Sequence, residues 1–216
     1  MSPPSELGLR EALIATGRKM NSSGLNQGTS GNLSHRVEGG FLITPTGMDY
    51  DALRPEDLVR MRFDGGHEGP RLPSSEWRFH RDILASRPEV NAVLHAHSMF
   101  STTLACLRRP IPPFHYMVAK AGGSSIRCAP YATFGTEELS RHAVAALEGR
   151  KACLLANHGL ITVGEDLSGA FKLAVEVETL AAMYLRALQV GEPVLLDEAE
   201  MAVVLEKFRT YGQQPE

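Results

Sequence analysis

The stretch NAVLHAHSMF, residues 91–100, sets two histidines one residue apart inside a run that otherwise reads as a buried strand. Successive strand side chains point to opposite faces, so Asn91, Val93, His95 and His97 share one face and Val90, Ala92, Leu94 and Ala96 the other. Both imidazoles therefore point the same way. Two co-directed neutral imidazoles can close on one metal ion, and Zn²⁺ accepts nitrogen at about 2.0–2.1 Å. A hydrogen-bonded pair is the plainer reading of two histidines alone, so further ligands must decide.

His158 interrupts the apolar run LLANHGLI, residues 154–161, where Gly159 permits close approach of backbone or ligand. It is the natural third ligand; the competing reading is a core histidine bonded to backbone. Glu76, at the end of PSSE (73–76), is the fourth participant, because a carboxylate can ligate a metal at rest and act as a base. Against this stands a first-turn glutamate that merely complements a helix dipole. Cys106, Cys128 and Cys153 are odd in number and lack C-x-x-C spacing, so they read as reduced structural thiols.

The chain has 216 residues, 43% hydrophobic and 22% charged, with a net charge of −3, which places it among globular proteins. Such a balance offers no basic field for nucleic acid. No apolar run reaches the roughly 18 residues of a membrane span, and the amino terminus lacks a signal-peptide layout, which points to the cytoplasm. Helices are predicted over residues 5–20, from a Ser74 or Ser75 cap to before Pro88 with Glu76 in the first turn, and from Thr136 to near Gly149. The longest follows Asp166, and a last one covers residues 197–208. Strands alternate with these helices, so the expected fold is α/β, one domain over residues 1–216 with helices on the faces of a sheet. Strand order is not legible in such a pattern.

Three loops, GTSGN (28–32), TPTG (44–47) and PSSE (73–76), combine glycine or proline with small hydroxyl and amide side chains. They can offer backbone N–H nests and hydroxyls to a phosphate without a lysine, although ordinary turns share the composition. Neither a G-x-x-x-x-G-K-[ST] nor a G-x-G-x-x-G turn occurs, which weighs against nucleotide hydrolysis and nicotinamide chemistry.

The ordered blocks GLNQGTSGNLS, LITPTGM, LPSSEWRFH, NAVLHAHS, IPPFHYM, AGGSSIRCAPYATFGTEELS, NHGLI and AVVLEKFRTYG run through nearly the whole chain. Together they resemble the class II aldolase/adducin family, its fuculose-phosphate aldolase branch above all. The resemblance implies a single domain with a mostly antiparallel central sheet flanked by helices, assembled as a homotetramer with sites at subunit interfaces. It implies one Zn²⁺ per chain and reversible cleavage of a sugar phosphate, a ketose 1-phosphate of the L-fuculose 1-phosphate type, to dihydroxyacetone phosphate and an aldehyde such as lactaldehyde.

By the matched positions, His95, His97 and His158 hold the metal, and Glu76 joins them and serves as acid/base. Gly31, Asn32, Thr46, Gly47, Ser74 and Ser75 fall at the substrate phosphate. The resemblance further implies that Tyr116 reaches a neighbouring subunit's site, where it is expected to protonate the oxygen that becomes the aldehyde's, and that Phe134 and Tyr211 wall the aldehyde side. Ser30 stands where the family carries alanine, Asn157 where it carries histidine, and the ending after Gly212 differs. Cleavage of 5-deoxyribulose 1-phosphate or 5-methylthioribulose 1-phosphate is an alternative. So are a pentose-phosphate 4-epimerase, in which aspartate replaces Glu76, and a non-catalytic domain like the adducin head.

Overall fold

The computed structural model describes residues 5–211. Helix α1 (Glu6–Ser22) opens at Ser5, whose hydroxyl accepts from the Gly8 amide, and buries Leu13, Ile14 and Met20. The strands are β1 (Asn32–Val37), β2 (Gly40–Ile43), β3 (Val59–Arg62), β4 (His67–Glu68), β5 (Ala92–Ala96), β6 (Arg127–Ala129), β7 (Ala152–Leu155) and β8 (Gly159–Gly164). Between and after them run helices α2 (Trp77–Ser86), α3 (Met99–Cys106), α4 (Glu137–Ala146), α5 (Leu167–Val190) and α6 (Glu198–Phe208).

All eight strands form one sheet in the order β4-β3-β2-β1-β5-β8-β7-β6. Every pairing is antiparallel except β6 with β7, which are parallel. Helix α4 lies between those two in sequence and supplies the crossover that a parallel pair requires. The sheet is thus mixed at one edge and antiparallel elsewhere.

Both faces of its centre are covered. Leu33, Leu94, Leu154 and Leu160 pack on one side with residues of α1, α3 and α5, while Val93, Cys153, Leu155 and Ile161 pack on the other with residues of α2 and α4. Burial on both faces makes the strands read as continuous apolar runs rather than alternating ones. This explains one departure from expectation: the run around His158 is not one interrupted strand but the antiparallel pair β7 and β8, with Leu155 opposite Gly159.

A second departure concerns α2. Neither Ser74 nor Ser75 caps it; Glu76 occupies the capping position, ahead of the first turn, and makes no side-chain cap. Ser74 is held elsewhere: its amide donates to the Thr44 carbonyl (3.0 Å), and the Thr46 amide donates to the Leu72 carbonyl (3.2 Å). These bonds bring the loops TPTG and PSSE side by side. Thr136 and Asp166 do cap their helices, accepting from the amides of Leu139 (3.2 Å) and Gly169 (2.7 Å). Among the described residues no helix is long and apolar enough to cross a membrane.

Candidate metal and phosphate site

His95 sits near the end of β5, opposite Asn32 of β1 and Ile161 of β8, and is fully buried. The edge of Phe79 meets its ring at 5.5 Å between centroids. Its Nδ1 lies 2.8 Å from the Leu160 carbonyl. That carbonyl can only accept, so Nδ1 carries the proton and the Nε2 lone pair is left facing the site.

His97 follows the strand end and is exposed, with its Nε2 2.9 Å from that of His95. The turn after it is clamped from α5 by Glu178. The Glu178 carboxylate accepts from the Ser98 hydroxyl (2.6 Å) and from the amides of Phe100 and Ser101 (both 2.8 Å) at the start of α3. His158 lies in the tight turn of the β7–β8 hairpin, preceded by Asn157 at φ 56°, a left-handed conformation that asparagine tolerates. A Cβ at Gly159 would lie 2.5 Å from the Ala96 carbonyl and 2.9 Å from Cδ2 of His97, so glycine lets this hairpin close against β5.

Glu76 completes the cluster. Its Oε2 is 3.2 Å from His95 Nε2 and its Oε1 is 3.2 Å from His158 Nε2. One donor atom from each of Glu76, His95, His97 and His158 lies within 4.8 Å of the others. Glu76 Oε1 is buried and has no hydrogen-bond partner among the described residues. Three imidazoles and a carboxylate with an orphaned oxygen, all converging, fit one divalent cation, for which nitrogen and oxygen donors of this kind suit zinc.

Electrostatics favour the ligating forms. Loss of hydration among the packed rings, with His95 beside them acting in the same direction, pushes His97 and His158 down to about 4, so both are neutral at pH 7. Burial pushes the Glu76 carboxyl up, but the neighbouring His95 and His158 rings and the Asn32 amide outweigh it and hold the group well below the usual carboxylate range.

Beside the cluster is a cleft of about 330 Å³ walled by Gly31 and Asn32, Thr46 and Gly47, and Ser74 and Ser75, with Glu76, His97 and His158 at its floor. No lysine or arginine lines it, so an anion there would rely on amides and hydroxyls. Gly31 (φ 72°) has no room for a side chain, since a Cβ would sit 2.7 Å from the His95 carbonyl. Gly47 (φ 66°) has nothing within 4 Å of that position. Tyr131 and Phe134 stand at the same cleft, Phe134 being 64% exposed.

Tyr116 and Tyr211 are not part of this cleft. They line a separate apolar cavity of about 650 Å³ together with Phe208 and Leu196. Both are exposed on this chain. The divergent ending after Gly212 lies outside the described residues.

Sequence reasoning singled out Asn32 but missed His80, Ser34 and Glu178 behind the site. Asn32 directs its side chain to Glu76 Oε2 (3.0 Å) and to His80 (2.5 Å), and His80 in turn meets Ser34 (2.7 Å). The available signal for His80 was its place on the buried face of α2 with Phe79, Ile83 and Leu84, where a polar ring needs a partner. Nothing local marked Glu178, whose partners are about 80 positions away in the chain.

A donor set of this kind, on a sheet flanked by helices and beside a hydroxyl-lined cleft, is what a metal-dependent enzyme carries. Residues 11–185 match the family described as Class II Aldolase and Adducin N-terminal domain. The chain belongs to this family, and it is a class II aldolase. It is 61% identical to a 5-methylthioribulose-1-phosphate/5-deoxyribulose-1-phosphate aldolase of Rhodospirillum rubrum, over 97% of this chain and 95% of that protein. It is 53% identical to the L-fuculose phosphate aldolase of Escherichia coli strain K12, over 94% and 95% respectively. A solved L-fuculose 1-phosphate aldolase superposes with a TM-score of 0.90 at 44% identity, covering 93% of this chain and 96% of that one.

Proposed function

We propose that this protein is a zinc-dependent aldolase that cleaves a ketose 1-phosphate with an apolar tail into dihydroxyacetone phosphate and a short aldehyde. The observation that carries the reading is the placement of Glu76 among three converging imidazoles, with Glu76, His97 and His158 at the floor of a hydroxyl-lined cleft. The identity to the Rhodospirillum rubrum protein supports 5-deoxyribulose 1-phosphate and 5-methylthioribulose 1-phosphate as substrates. The Escherichia coli relative and the superposed structure support a second reading, L-fuculose 1-phosphate.

Breaking a carbon–carbon bond next to a carbonyl leaves an enediolate, an anion that needs positioned positive charge. A divalent ion at His95, His97 and His158 supplies that charge as a Lewis acid. The chain's own residues do the rest. Hydroxyls of Thr46, Ser74 and Ser75 and the backbone at Gly31, Asn32 and Gly47 hold the phosphate and so fix where the carbonyl end lies. Glu76 delivers a proton to the enediolate carbon after cleavage and removes it in synthesis. Phe134 stands on the aldehyde side and favours an apolar tail.

Tyr116 and Tyr211, remote from the cleft of their own chain, serve a neighbouring subunit's cleft in a homotetramer, Tyr116 protonating the aldehyde oxygen and Tyr211 adding to its wall. The enzyme works in the cytoplasm. If the site is shared, mixing inactive Glu76→Gln and Tyr116→Phe proteins restores part of the activity in hybrid oligomers. No recovery after verified subunit exchange contradicts the shared site.

The substrate is tested by comparing kcat/KM for the three apolar-tailed ketose 1-phosphates with that for ribulose 1-phosphate. Each of the three is expected to exceed ribulose 1-phosphate by about 10-fold, the scale of discrimination an apolar pocket provides. A ketose 5-phosphate that is preferred, and epimerised rather than cleaved, refutes the aldolase reading in favour of the epimerase.

A further inference from the structure

Behind Glu76 runs a buried chain of side chains that the reaction does not itself require. Asn32 Nδ2 lies 3.0 Å from Glu76 Oε2, His80 Nε2 lies 2.5 Å from Asn32 Oδ1, and Ser34 Oγ lies 2.7 Å from His80 Nδ1. Ser34 and His80 are fully buried, and Asn32 and Glu76 are nearly so. The polarity of this chain is decided at its carboxylate end. Ionised Glu76 can only accept, so Asn32 must turn its NH₂ toward it, which leaves Oδ1 as an acceptor for His80. His80 is therefore the neutral Nε2–H tautomer, and its bare Nδ1 takes the Ser34 hydroxyl proton. All three donors point toward Glu76, an arrangement in which each bond polarises the next. The reverse tautomer would set the Asn32 carbonyl against the carboxylate, two buried acceptors with no proton between them.

We propose that His80 is a positioning residue: backed by Ser34, it locks the Asn32 amide so that Glu76 is anchored through Oε2 and keeps its unpartnered Oε1 for proton transfer. This rests on the reading of Glu76 as the acid/base. The ring also stacks on Phe79 at 4.7 Å, so phenylalanine can take its place in shape while removing both nitrogens.

The test measures proton exchange of dihydroxyacetone phosphate in deuterated water, zinc content and KM for His80→Phe, His80→Gln and Ser34→Ala. Exchange is expected to fall about 10-fold in His80→Phe, with zinc content and KM within twofold of the parent. His80→Gln, whose amide can donate to Asn32 and accept from Ser34, recovers part of the loss, and Ser34→Ala loses about two- to threefold. Independently of activity, ¹⁵N-histidine spectra of the protein should show His80 as the Nε2–H tautomer. An Nδ1–H tautomer overturns the proposal. So does parental exchange in His80→Phe or, should that variant not fold, in Ser34→Ala; so does zinc loss that accounts for the whole effect. Glu76→Gln is run in parallel: parental exchange in that variant defeats the acid/base reading itself, whereas its loss beside unaffected His80 and Ser34 variants defeats only the present inference.

Discussion

Replacing Glu76 with glutamine is expected to slow proton exchange on dihydroxyacetone phosphate by about 10²–10⁴-fold while the fold persists. Glutamine matches glutamate in shape and can turn its carbonyl to Asn32 Nδ2, which now donates to Glu76 Oε2 at 3.0 Å, so the buried chain from Ser34 keeps its acceptor. What the amide cannot do is take a proton at pH 7. The position of Glu76 ahead of α2, with no cap bond from its side chain, removes the competing explanation that it serves the helix terminus. Exchange at the parental rate in Glu76→Gln would leave Glu76 as a ligand at most.

Removing the metal is expected to abolish cleavage, and one equivalent of zinc per chain to restore it. The convergence of Glu76, His95, His97 and His158 within 4.8 Å, with a buried carboxylate oxygen lacking a hydrogen-bond partner, leaves a cluster whose donors are satisfied by a cation. Loss of Lewis-acid stabilisation is worth several kcal/mol, so His95→Ala should lower kcat/KM by about 10³-fold or more. Less than a tenth of an equivalent by elemental analysis after supplementation, or full activity in a strong chelator, would sink the assignment. A Schiff base on Lys120 is the chemical alternative, and borohydride trapping with substrate would reveal it. Its amine lies 3.2 Å from Glu176 and lines a different cavity from the histidines, remote from the cleft beside them.

How much of this was legible beforehand follows from the range of the interactions involved. The co-direction of His95 and His97 is a property of strand geometry, so NAVLHAHS alone determined it, and their Nε2 atoms do meet at 2.9 Å. The cap at Thr136 is a bond to an amide three positions ahead, equally local, and it formed as expected; the longest helix likewise begins directly after Asp166. The loops holding Gly31, Thr46 and Ser74 could be singled out by composition, and they do wall one cleft.

Whatever depends on partners distant in sequence was settled by the tertiary structure. The sheet is buried on both faces, which erases the period-two pattern, so neither the strand order nor the division of residues 152–164 into a hairpin could be read from alternation. The role of Asn32 belongs to this group. Its place in a glycine-rich loop was legible and it does line the cleft, while its pairing opposite His95 across β1 and β5 brings its side-chain amide between Glu76 and His80, residues 44 and 48 positions away. Glu76 itself was identifiable as a carboxylate beside a helix start, yet the structure sets it ahead of the first turn of α2, two residues after Ser74, whose amide is bound to Thr44, and its carboxylate faces the imidazoles. Residue type and local spacing determined which groups carry the chemistry; long-range register decided which way they face, because a hydrogen bond between strands or across layers leaves no mark on the neighbouring sequence.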